Sequence, residues 1–155
     1  VITVGLLEFA PASMAASSTP VADQVSAFKA DVGSELTSFV AAYAPRLSAS
    51  DRARVKALTG RMETELGSVA RATARAERLK ASHAPKAAQA AAVADAVRAY
   101  DRGYASAQES LATVTPILQP KLSIFEAIDA KMTFDSAMSD YQRLGASIRG
   151  LRAGN

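Results

Sequence analysis

The chain has 155 residues, 49% of them hydrophobic and 21% charged, with a formal net charge of +3 and neither cysteine nor tryptophan. That length bounds it to one domain able to bury a core of its own. The missing cysteines exclude disulfides, thiolate metal sites, cysteine nucleophiles and c-type haem attachment. So mild a positive charge does not argue for nucleic acid, and no segment reaches the roughly twenty apolar residues that span a bilayer.

The opening, VITVGLLEFAPASMAASSTP, is apolar from Val1 to Leu7 and broken by Glu8. Ser13-Met14-Ala15 ahead of Ala16 has the small-x-small pattern of a signal-peptidase site, although no basic stretch precedes the apolar run. The expectation is a leader remnant and a periplasmic, envelope-associated or secreted protein. The competing expectation is a docking segment, which with Val1 to Ala15 retained leaves the protein cytoplasmic. Residues 1–18 therefore stand apart from a domain spanning 19–155.

Roughly a fifth of the chain is alanine, the strongest helix former, and four helical stretches follow the opening. Thr19 is placed to cap the first, with Pro20 at its first position and Asp23 in its first turn. Its apolar repeat is Val21, Val25, Phe28, Val32, Leu36, Val40 and Tyr43, and Pro45 ends it. Ser48 and Asp51 predict a capping box for the second helix. That helix carries Val55, Leu58, Met62, Leu66, Val69, Ala76 and Leu79, and runs to Ala81.

Pro85 predicts the start of the third helix, whose Val93, Val97, Tyr100, Tyr104, Ala107, Leu111 and Val114 alternate steps of four and three, a bundle seam. The prolines of TPILQP predict its end. A fourth helix is expected from about Pro120 to Arg152, its core face running from Ile124, Phe125, Ile128 and Met132 through Phe134, Met138, Tyr141, Leu144, Ile148 and Leu151. Short turns between long helices predict an all-α, antiparallel (up-down-up-down) four-helix bundle with a short apolar N-terminal segment.

Little in the sequence speaks for catalysis. The single histidine, His83, sits in a turn, no E-x-x-H pair occurs, and no glycine-rich phosphate loop or nucleophile elbow is present. Met62, Met138, Tyr100 and Tyr104 face inward at core spacing and are read as packing rather than haem ligands. Glu65, near the apolar stripe, is read as an i to i+4 partner of Arg61. The expectation is no enzyme, no cofactor and no metal.

Two surface features suggest partners instead. Ala53, Gly60, Gly67 and Ala74 fall on the back of the second helix, where glycine costs nearly 1 kcal/mol against alanine and a smooth strip admits another backbone. This predicts an interface with another helix, from a protein partner, a second copy or the N-terminal segment. The stretch from Arg46 to Lys86 is rich in cations, and the antiparallel topology predicts one pole holding Arg71, Arg75, Arg78, Lys80, Lys86, Arg149 and Arg152. Such a pole suits an anionic ligand, a lipid head group or an acidic partner, while the lack of interleaved aromatics speaks against single-stranded nucleic acid. The functional expectation is a helical interaction or assembly protein acting through helix surfaces, with anion binding at the pole as the alternative.

Overall fold

The structure, a computed structural model, describes residues 19–153. The opening segment, with its leader and docking expectations, lies outside the described residues. Four helices, α1 (Val21–Tyr43), α2 (Ala49–Ala81), α3 (Lys86–Leu118) and α4 (Ile124–Gly150), are linked through 3₁₀ turns at Ala44–Arg46 and Gln119–Lys121 and a tight turn at 82–85. Among the described residues there is no strand. Each helix packs antiparallel to the next, and α1 closes the bundle against α4. The expected four-helix bundle is the fold.

The helix ends follow local chemistry, with two departures from the sequence reading. Thr19 does not cap α1. Its first two free N–H groups, those of Val21 and Ala22, instead donate to the two carboxylate oxygens of Glu77 on α2, at 2.6 and 3.1 Å. The Pro20 N-cap has no side-chain acceptor to offer, so a carboxylate from a neighbouring helix takes that place and also meets the positive end of the helix dipole. As expected, α3 ends within TPILQP, at Leu118, two residues past Pro116. Pro116 has no N–H to offer the Ala112 carbonyl, so the helix loses one bond a turn before it ends. The other departure is that α4 begins at Ile124 rather than near Pro120. Ser123 and Glu126 form a reciprocal capping box there: Glu126 N–H donates to Ser123 Oγ at 3.2 Å and Ser123 N–H to Glu126 Oε2 at 2.8 Å.

The predicted box at α2 is half made. Asp51 N–H donates to Ser48 Oγ, but the Asp51 carboxylate accepts the Ser48 hydroxyl instead of its amide. At the other end of α2, Ala84 N–H reaches the Leu79 carbonyl and His83 N–H that of Lys80, a Schellman cap. His83 sits at the position that usually takes glycine, and it alone among the described non-glycine residues has a positive φ, 54°.

The largest core cluster joins all four helices through Val25, Val32, Leu66, Val69, Ala96, Val97, Tyr100, Tyr141, Leu144 and Ile148. Alanines at the seam let α2 and α3 approach closely, and this pair shares the most continuous contact in the molecule. Two ion pairs across it, Arg61–Glu109 at 3.1 Å and Arg75–Asp95 at 3.8 Å, are spaced equally on both helices and mark one register. Arg61 is thus engaged across the seam, not with Glu65 as expected. Contacts of α4 with α1 and α3 are sparser.

Candidate functional site: an uncovered apolar face on the fourth helix

The first half of α4 does not face the core as its sequence suggested. Ile124, Phe125, Ile128 and Met132 are 78%, 84%, 53% and 66% exposed. At 100° per residue these four side chains share an arc of about 100°, while Tyr141, Leu144, Gly145 and Ile148 occupy an arc on roughly the opposite side. Apolar residues thus cover more of α4 than one core-facing stripe can bury. That excess width was the available signal in the sequence; a linear list of apolar positions hides it.

Beside this face runs a groove of about 570 Å³ between the end of α3 and the start of α4. Leu111, Thr115 and Leu118 form its α3 wall, and Ile124, Ile128 and Phe134 its α4 wall. The ion-paired Lys131 and Asp135 stand at its rim. A second gap, bounded by Phe39, Ser110 and Phe134, offers only about 20 Å³, room for about one water molecule.

Phe134 and Glu126 anchor this half of α4, and a further bond holds the turn before it. Phe134 meets Phe39 of α1 edge to face at 5.4 Å between centroids. Arg46, from the turn after α1, reaches Glu126 at 3.0 Å and the Lys121 carbonyl at 3.2 Å, tying the two turns of this pole together. The Arg46 hydrogen bond first, and those from Ser123 next, pull the Glu126 carboxyl from 4.5 down to about 2.

The second half of α4 is held far more tightly. Tyr141 lays its ring end against Gly103 of α3, and Tyr100 of α3 lays its ring against Gly145 of α4. A Cβ at Gly103 would collide with the Tyr141 hydroxyl while lying 3.6 Å from Cζ; one at Gly145 would collide with the Tyr100 ring itself, Cε1 at 2.6 Å. Each glycine is the notch for the other helix's tyrosine. Phe28 stacks on Tyr141 at 5.2 Å and Tyr104 completes the cluster. Burial pushes the Tyr141 phenol well above its ordinary range, with Tyr100 and Glu65 adding to the effect, and its hydroxyl has no hydrogen-bond partner. Burial also raises the Tyr100 phenol, against the opposing charge of Arg149.

The residues singled out from the sequence are distributed as follows. On the α2 strip, Ala53 and Gly60 are exposed, and nothing stands within 4 Å of a Cβ built at Gly60. Ala74 is half-buried, whereas Gly67 is buried beneath Arg71 and Lys29, at 3.4 and 3.7 Å from its Cβ position. The smooth strip is therefore open at its Ala53–Gly60 end and overlaid at Gly67.

The cations do not gather at one pole. Arg78, Lys80 and Lys86 flank the α2–α3 turn. Arg149, however, pairs with Asp101 at 2.8 Å and lies over the Tyr100 ring, fifteen residues, or about 22 Å of helix, beyond Lys86. Leu151 docks beside Ala76 and Val93, so α4 and Arg152 stop short of the tip. Arg75 is engaged by Asp95, and Arg71 donates to Ser68 Oγ at 3.2 Å.

Among the described residues no three His, Asp or Glu side chains are placed to hold a metal ion, and no helix is long and apolar enough to cross a membrane. Compared with known proteins, the chain matches no family model, no curated protein and no solved structure.

Proposed function

We propose that this protein is a non-enzymatic helical interaction module, and that the uncovered face of α4 with its adjoining groove is its docking surface. The observation that carries the reading is the cluster of Ile124, Phe125, Ile128 and Met132, more than half exposed on one arc of one helix. Isolated exposed apolar residues are ordinary; a contiguous set of several hundred Å² beside a groove marks a place where another apolar surface sits. The basic-pole reading draws less support, because Arg75 and Arg149 are already engaged by Asp95 and Asp101 and stand apart from the α2–α3 tip.

The surface is tested with 1-anilinonaphthalene-8-sulfonate, a dye that brightens on apolar surface, at sub-micromolar protein. The native wild type should enhance its fluorescence. A variant carrying Ile124→Ser, Phe125→Ser and Ile128→Ser should lose most of that enhancement with an unchanged helical spectrum and melting temperature. Equal enhancement by the two proteins overturns the reading. So does a collapse of the variant's melting temperature, which would make these side chains part of the monomer's core.

A further inference from the structure

We infer that the small gap beside Ser110 and Phe134 is the site of one ordered water molecule, held between the hydroxyls of Ser110 on α3 and Thr59 on α2. Ser110 is 1% exposed, and its hydroxyl has no hydrogen-bond partner within the protein. Leaving a buried hydroxyl unpaired costs more than fixing one water does. Such a group therefore draws a water wherever there is space and a second polar partner.

Both conditions are met. The gap of about 20 Å³ suits one water. Thr59, half-buried, lines it from α2. Its Oγ1 donates to the Val55 carbonyl at 3.0 Å, which leaves the oxygen's lone pairs free to accept. The register marked by the Arg61–Glu109 and Arg75–Asp95 pairs sets Ser110 level with Gly60, one residue from Thr59. The two hydroxyls thus reach the gap at the same height from facing helices.

A water in this place accepts the Ser110 hydroxyl and donates one proton to Thr59 Oγ1, bridging α2 to α3. The side chains of Leu36, Val40, Leu58 and Val114, which complete the wall, carry no polar atom to compete for it. Leu111 and Phe134 line both this gap and the α3–α4 groove, so they stand between the site and the groove.

Crystals of the full chain that diffract well enough to show ordered solvent should reveal one water within hydrogen-bonding distance of both hydroxyls. A gap without density, with the Ser110 hydroxyl turned onto the Ser106 carbonyl of its own helix, overturns the inference. Urea unfolding supplies an independent sign. Ser110→Ala should lower the unfolding midpoint relative to Ser139→Ala, the same exchange at an exposed helix position, which reads the helix propensity of alanine alone. Deleting a buried hydroxyl that holds nothing would instead raise the midpoint at least as far as Ser139→Ala does, and that result overturns the site. Thr59→Val should lower the midpoint as well. The double variant should lose less than the two single losses combined, because either change alone already breaks the bridge. Strict additivity of the two overturns the bridge.

Discussion

At the scale of single residues, the notch built by Gly103 and Tyr141 differs from that built by Gly145 and Tyr100 in one informative way. Only the hydroxyl of Tyr141 crowds the Gly103 position, whereas ring carbons of Tyr100 crowd Gly145. Both rings are buried, so neither can swing aside freely. Gly103→Ala should therefore cost about 1–3 kcal/mol. Adding Tyr141→Phe should recover most of that loss, since it removes the colliding atom. Tyr141→Phe alone should be neutral or slightly stabilising, because the hydroxyl it deletes is buried without a partner. Gly145→Ala should cost a similar amount and gain nothing from Tyr100→Phe. Urea unfolding of the two double-mutant cycles measures the contrast; equal rescue in both would contradict the geometry.

At the scale of elements, the Arg46–Glu126 pair joins the turn after α1 to the start of α4, and its contribution depends on pH. The folded-state pKa of Glu126 is depressed, from 4.5 to about 2. Folding therefore favours the ionised form, and the stability this adds is complete above 4.5 and lost as pH falls through about 2. Arg46→Leu should be less stable than the wild type at neutral pH, with the difference shrinking between those two values. Thermal melts of both proteins at stepped pH measure it, and a difference independent of pH would rule out the linkage. Helix count, order and most boundaries were legible because punctuation is local: Pro45, Ser48 and Pro85 act on their own neighbours. The start of α4 was legible too, in Ser123-Ile124-Phe125-Glu126, but Pro120 is the louder signal three residues earlier. The cap on α1 was not legible. Glu77 lies 56 residues from Val21, and only the packing of α1 on α2 brings them together. The glycine notches escaped for the same reason, since Gly60 and Gly67 stand out by spacing on one helix whereas Gly103 and Gly145 have meaning only across two.

At the scale of the molecule, stability is graded along the bundle. The α2–α3 seam is continuous and the notched half of α4 is interlocked, while the first half of α4 presents apolar side chains to solvent and stands beside a groove. Backbone amides should report this gradient. In dilute protein, hydrogen exchange should be slowest around Val69, Thr73, Ala96 and Tyr100 and markedly faster across residues 124–132, since local opening costs least where few buried contacts are lost. Mass spectrometry of exchanging samples reads the difference directly. Uniform protection along α4 would mean that the Arg46–Glu126 and Phe39–Phe134 contacts anchor its first half as firmly as the notches anchor its second.

The register shared by α2 and α3 also bears on how the chain finds its shape. These two helices are consecutive and joined by the four-residue turn at 82–85, so their seam closes a short loop. Phe28 and Tyr141, by contrast, meet only after more than a hundred residues of intervening chain have been arranged. Since distant encounters forfeit more chain entropy before they return any energy, the hairpin of α2 and α3 is the natural nucleus, and the docking of α1 on α4 completes the barrel of helices last.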